Sequence, residues 1–144
     1  MSEPLPSVAE LASALRLSLL RTARRLRSQR VNTAATLSQL SALATVRKFG
    51  PLSAGEIATV EQVQPPSMTK ILAALEQSGW VARTSHPDDR RQSIIVITPA
   101  GLELLAEETR ARDEWLAKRL VEFSEDDLRK LSDAIEVLDR LGSD

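Results

Sequence analysis

The sequence predicts a mainly α chain with a small β-hairpin wing, a winged helix-turn-helix flanked by long helices suited to dimerisation. Three observations predict it. Residues 53–78 read as two short helices joined by a brief turn. Residues 80–97 read as two strand-forming runs around a charged loop. The segments on either side carry apolar residues at helical spacing and contain long stretches free of Pro and Gly.

In the first element, Val8, Leu11, Leu15, Leu19 and Leu26 recur at spacings of three, four or seven, which predicts an amphipathic helix over 7–30. Its 24 residues correspond to about 36 Å, long for a small domain and suggestive of packing against another chain. Arg16, Arg21, Arg24, Arg25, Arg27 and Arg30 fall on or beside the opposite face, where solvation alone accounts for them. After a connection at 31–36, Ser38 is placed as the cap of a second helix through Lys48, with Leu40, Leu43 and Val46 inward and Gly50-Pro51 as the stop. Ser53-Ala54-Gly55-Glu56 is a capping-box pattern, in which Ser and Glu side chains satisfy each other's free backbone donors. A short helix therefore starts there, buries Ile57 and Ala58, and stops near Glu61.

Pro65 suits the first position of the next helix, because its fixed φ is helical and its missing N–H would have been unpaired anyway. Met68, Ile71, Leu72 and Leu75 mark that helix's inner face, and Gly79 its end. Pro66, Thr69, Lys70 and Ala73 then face outward, with Ser67 on the flank. Strand-forming residues at 80–84 and 93–97 predict a hairpin around His86-Pro87-Asp88-Asp89-Arg90-Arg91-Gln92. Thr98-Pro99 opens a further helix carrying Leu102, Leu105, Leu116 and Leu120 to about Glu122. A last helix opens at Ser124, with Leu128, Leu131, Ile135 and Leu138 at helical spacing.

Composition narrows the function classes. At 144 residues the chain fits one functional unit, with 42% hydrophobic and 27% charged residues as in ordinary water-soluble domains. No apolar run reaches the roughly 20 residues a bilayer span needs, and Glu3, Pro4 and Pro6 are unlike a secretory signal, so a cytoplasmic protein without membrane partners is expected. The absence of cysteine excludes disulfides, thiolate metal sites and thiol redox sensing. The formal charge of −1 conceals an asymmetry: residues 1–100 hold 12 Lys or Arg against 7 Asp or Glu, residues 101–144 hold 7 against 13. A basic DNA-facing region joined to an acidic helical region fits that distribution, as does a solvated acidic helix surface.

Paired helices of this kind hold the second one outward, where its N-terminal residues can reach base edges in the major groove. Ser and Thr there can bond bases or phosphates, and Lys can reach guanine acceptors. Two helices and a turn are also common in helical proteins that bind no nucleic acid. An arginine at the hairpin tip can enter a minor groove, although Asp88-Asp89-Arg90-Arg91 also reads as a self-neutralising turn. Catalysis is not expected, since the chain has one histidine, no cysteine, no tyrosine and no Gly-rich phosphate loop. His86 reads as a solvated loop residue without metal-ligating neighbours, and no metal or cofactor is expected. Glu125-Asp126-Asp127 fits the charge preference of a helix N-terminus. The rival to a DNA-binding regulator is a helical dimerisation or interaction protein that does not touch DNA.

The chain resembles the MarR family of bacterial regulators. The likeness runs through Leu37-Ser38, Pro66-Ser67-Met68-Thr69-Lys70, Leu75-Glu76-Gln77-Ser78-Gly79-Trp80-Val81-Ala82-Arg83, Asp88-Asp89-Arg90 and Ile97-Thr98-Pro99-Ala100-Gly101, about 65 contiguous residues. Trp80 and the Pro65-Pro66 pair depart from the usual pattern. The resemblance implies a homodimeric transcriptional regulator, most often a repressor, on a pseudo-palindromic operator in double-stranded DNA. It implies a single unit over 1–144, with a winged lobe at 37–100 and dimerisation helices at 7–30 and 99–142. It also implies Arg90 in the minor groove with Asp88 orienting it and Arg91 assisting, and a small-molecule effector, often phenolic, near the junction of dimer helices and lobe. With the residue reading, the expected major-groove set is Gln64, Pro65, Pro66, Ser67, Thr69 and Lys70, with weaker phosphate contacts from Ser38, Gln39 and Arg83.

Overall fold

A computed structural model describes residues 3–32 and 34–143. Helix α1 spans Val8–Ser28, a little shorter than the expected 7–30 because Ser7 is its N-cap. The Ser7 hydroxyl accepts from the Glu10 N–H while the Glu10 carboxylate accepts from Ser7, which holds that carboxyl below the usual carboxylate range. The connection expected at 31–36 includes residue 33, which lies outside the described residues.

Helix α2, Leu37–Phe49, is capped by Thr36 and not by Ser38. Thr36 wins because Gln39 stands three residues on and closes a capping box with it, whereas Ser38 would find Ser41 at that place. Ser38 consequently lies in the first turn of the helix, as its second residue. Gly50, at φ 79, ends α2.

A two-residue strand β1, Leu52–Ser53, follows, and Ser53 then caps α3, Ala54–Glu61, through the capping box with Glu56. Strand β1 went unforeseen, being too short to carry an alternating pattern. Helix α4 spans Pro65–Gln77. The hairpin strands β2, Val81–Ser85, and β3, Ser93–Ile97, pair antiparallel from Val81 opposite Ile97 to Ser85 opposite Ser93. β1 adds to the other edge of β3, giving the order β1-β3-β2.

Trp80 precedes β2 and does not begin it, because its N–H donates to the Leu75 carbonyl at the end of α4. Helix α5, Pro99–Leu120, opens on the expected Thr98 cap and stops two residues before Glu122. Ser124 caps α6, Glu125–Gly142.

The buried apolar residues gather in one place. Leu40, Leu43 and Val46 of α2 meet Ile57 of α3, Met68, Leu72 and Leu75 of α4, Ile95 of β3, and Leu104 and Leu105 at the start of α5. Leu102, read from the sequence with Leu105, instead faces solvent, and Leu104 takes the inner position. α1 and α6 contribute no buried residue. Among the described residues no helix is long and apolar enough to cross a membrane.

Candidate nucleic-acid interface

The angle between α3 and α4 is fixed by local bonds. Gln62 adopts the left-handed conformation, φ 54 and ψ 43, and the Val63 N–H reaches back to the Ala58 carbonyl at 3.0 Å. This closure ends α3 without a glycine. Glu61 then ties the turn to α2, its carboxylate accepting from the Ser41 hydroxyl at 2.7 Å and from the Thr45 hydroxyl. Met68, Leu72 and Leu75 bury the inner stripe of α4, with Ile71 half-buried beside them.

The opposite stripe is open. Gln64, Pro65, Pro66, Ser67, Thr69 and Lys70 are all exposed. Gln64 is the N-cap and makes no side-chain capping bond. The two prolines explain why little capping is needed: neither carries an N–H, and Met68 already donates to Gln64, so within 65–68 the Ser67 amide alone lacks a backbone acceptor among the described residues. An anion at this helix end would meet one backbone donor and the helix dipole. The Thr69 hydroxyl donates to the Pro65 carbonyl at 2.9 Å, which leaves its oxygen free to accept on an exposed side chain.

The hairpin stands beside this helix. A salt bridge between Arg83 of β2 and Glu76 of α4, 2.7 Å, joins the two. Arg83, expected at phosphate, is thus engaged through Nε with Glu76 and through Nη1 with the Ser93 hydroxyl at 3.5 Å. At the loop, Asp88 and Arg90 form no ion pair among the described residues, and other bonds order the tip. The Asp89 carboxylate accepts from the Arg91 N–H at 3.0 Å, Gln92 donates to the Asp89 carbonyl, and the Asp88 and Asp89 amides donate to His86 Nδ1 at 3.1 and 3.3 Å. Arg90 and Arg91 are exposed and without a salt-bridge partner among the described residues. Ser38 is exposed on α2, whereas the Gln39 side chain is engaged in the Thr36 box.

Thr98 locks the wing to the helix pair. Its N–H donates to the Trp80 carbonyl at 3.1 Å and its hydroxyl to the Gly79 carbonyl at 2.6 Å. Gly101 follows because a β-carbon there would collide with the Trp80 carbonyl oxygen and lie 2.9 Å from Ile97 Cγ1. Gly79 itself needs its φ of 78.

A cavity of about 420 Å³ lies between α1, α2 and α5, walled by Leu26, Arg27, Leu40, Arg47, Glu108 and Arg112. Glu108 is 1% exposed, and its Oε1 accepts from the backbone amides of Val31 and Asn32 at 3.3 and 3.2 Å. The sequence held one unused signal for it. Glu108 follows Leu104 and Leu105 by four and three residues, which puts a carboxylate on the buried stripe of α5. Among the described residues no group of three His, Cys, Asp or Glu could hold a metal.

Comparison with known proteins bears on the family and the fold. The MarR family profile matches residues 35–93. A helix-turn-helix-type transcriptional regulator of Mycobacterium leprae is 42% identical over 134 residues, 93% of this chain and 94% of the relative. A solved transcriptional regulator of Pseudomonas aeruginosa superposes with a TM-score of 0.86 at 24% identity, covering 98% of this chain and 99% of its own. A mutant S. aureus MepR bound to an oligodeoxyribonucleotide superposes with a TM-score of 0.71 at 19% identity, covering 91% and 97%. The two structural likenesses speak for the fold.

Proposed function

The chain belongs to the MarR family of helix-turn-helix DNA-binding transcriptional regulators, and we propose that it acts as a homodimeric repressor on a pseudo-palindromic operator. The observation that carries the reading is the exposed first turn of α4 beside a wing whose Arg90 and Arg91 are free of ion pairs among the described residues. In this reading Gln64, Pro65, Pro66, Ser67, Thr69 and Lys70 enter a major groove. Arg90, with Arg91 and Asp88, works at the flanking minor groove, and Ser38, Gln39 and Arg83 approach phosphate. The two prolines let the backbone come close without presenting amide donors, so base reading falls to Thr69 and Lys70 and phosphate contact to Ser67.

We assign residues 37–100 to the winged lobe, and 7–30 and 99–142 to dimerisation. Supporting the second assignment, α1 and α6 leave Leu11, Leu17, Leu20, Leu131, Ile135 and Leu141 between 45% and 65% exposed. Two recognition helices related by a twofold axis then fit half-sites about one helical turn apart. A small phenolic effector that releases DNA is placed in the cavity walled by Arg27, Arg112 and Glu108. Supporting that placement, Glu108 also grips the backbone at Val31 and Asn32, where the dimer helix passes into the lobe.

The test is a binding titration against the DNA upstream of the chain's own gene, at several salt concentrations. Specific binding should weaken steeply with salt as counterion release is lost. Lys70→Ala should lower affinity about 10- to 100-fold and relax sequence preference, whereas Arg90→Ala should act mainly at flanking A·T-rich positions. Indifference to all DNA at low salt would overturn the reading.

A further inference from the structure

The one histidine of the chain is not idle in the wing. His86 sits at the end of β2, half-buried, and its backbone N–H donates to the Gln92 carbonyl at 2.9 Å, closing the loop. Its ring nitrogen Nδ1 meets two backbone donors, the Asp88 N–H at 3.1 Å and the Asp89 N–H at 3.3 Å. A ring nitrogen can accept from them only without its own proton, so this arrangement requires a neutral imidazole with hydrogen on Nε2. Protonation would set an N–H against two N–H groups at the base of the segment that carries Arg90. The charged residues of the same hairpin are Asp88 and Asp89, then Arg90 and Arg91, and Arg83 on β2. None of them makes a side-chain hydrogen bond or ion pair with the ring, and no other element supplies one among the described residues.

We propose that His86 is a positioning residue for DNA recognition, holding the wing tip through its unprotonated Nδ1 and thereby making wing engagement sensitive to pH. The proposal rests on the wing reading given above, in which Arg90 contacts DNA. The sign follows from the acceptor role. Neutral imidazole fits the ordered wing, so affinity is held while the ring is unprotonated and lost when acidification protonates it.

The test compares the full-length protein with His86→Asn and His86→Ala, binding the same operator duplex between about pH 8 and pH 5.5. The wild-type chain should lose on the order of ten-fold more affinity on acidification than His86→Asn, whose Oδ1 accepts at every pH in that range. Other titrating groups are common to both proteins and cancel in the ratio. His86→Ala should bind more weakly than His86→Asn throughout, with little pH dependence of its own. In the absence of DNA, the Asp88 and Asp89 amide resonances of the wild type should shift on acidification and those of His86→Asn should not. Parallel profiles for wild type and His86→Asn would overturn the proposal. So would a gain of wild-type affinity at low pH relative to His86→Asn, which would mean that the imidazolium contacts phosphate directly. Arg90→Ala separates the two layers: if it leaves affinity unchanged, the wing reading itself falls and the proposal with it; if it weakens binding while the His86 variants do nothing, only the proposal falls.

Discussion

The lobe between α2 and the start of α5 and the helices that flank it are built on opposite terms. In the lobe, Leu43, Ile57, Leu72, Leu75 and Ile95 are wholly buried, and each element hands its neighbour a specific bond: Glu61 to Ser41 and Thr45, Arg83 to Glu76, Thr98 to Gly79. In the flanks, α1 and α6 have apolar stripes of the same helical spacing but bury none of them. The same periodicity therefore has two destinations. In the lobe it is answered within the chain; at the ends it is left for another surface, which the proposed dimer would supply.

The largest expected effect tests the lobe. Gly101→Ala drives a β-carbon into the Trp80 carbonyl and against Ile97, neither of which can withdraw without opening the Thr98 lock. A loss of roughly 3 kcal/mol or more in urea unfolding is expected, read by the fluorescence of Trp80, which is 9% exposed. Undiminished stability in the Gly101→Ala protein would break the idea that the lobe is rigidly self-contained.

Next in size is a flank substitution. Ile135→Glu, at a position 59% exposed on α6, should leave the lobe's unfolding within about 0.5 kcal/mol but weaken self-association by on the order of 100-fold or more. Sedimentation equilibrium measures the association. The two tryptophans divide the readout, because Trp80 belongs to the lobe and Trp115, stacked under Arg119, to α5. If Trp80 lost its native signal together with the dimer, the contrast between lobe and flank would be false. If self-association stayed as it was, α6 would not be a dimer surface.

Much of this contrast was legible in the sequence, and the gaps have physical causes. Stop and start signals with reciprocal partners were readable: Ser53 with Glu56, Thr98-Pro99, Gly50, Gly79. Thr36 against Ser38 was decided by which residue had a glutamine three places on, a rule that applies equally to both candidates and picks only one. β1 was invisible because two residues carry no period, and it exists by leaning on β3. Asp88 as orienter of Arg90 came from a motif, whereas the tip is ordered by contacts that motif spacing does not encode, through Asp89 and His86. Glu108 needed the buried stripe of α5 to be counted residue by residue. Its partners, Val31 and Asn32, lie 77 and 76 positions away, a pairing that only the fold reveals.

The smallest effect lies at the far end of the flank and carries a definite sign. The Ser7 hydroxyl, followed by its backbone N–H, lowers the Glu10 carboxyl from its ordinary value, so the ionised form is the one that caps α1. A depressed carboxylate contributes its stability above the unfolded value, and that contribution disappears as pH falls through the lower, folded one. Acidification through and below the usual carboxylate range should therefore loosen the first turn of α1 and leave the Thr36 cap of α2 in place. The Thr36 box uses the neutral Gln39 and should hold. Amide hydrogen exchange at Glu10 and Gln39 checks this, with faster exchange on acidification, after correction for the intrinsic rate, at Glu10 and not at Gln39. Equal protection changes at both would mean that α1 and the lobe open as one unit, and that the flank is less independent than its exposed stripe implies.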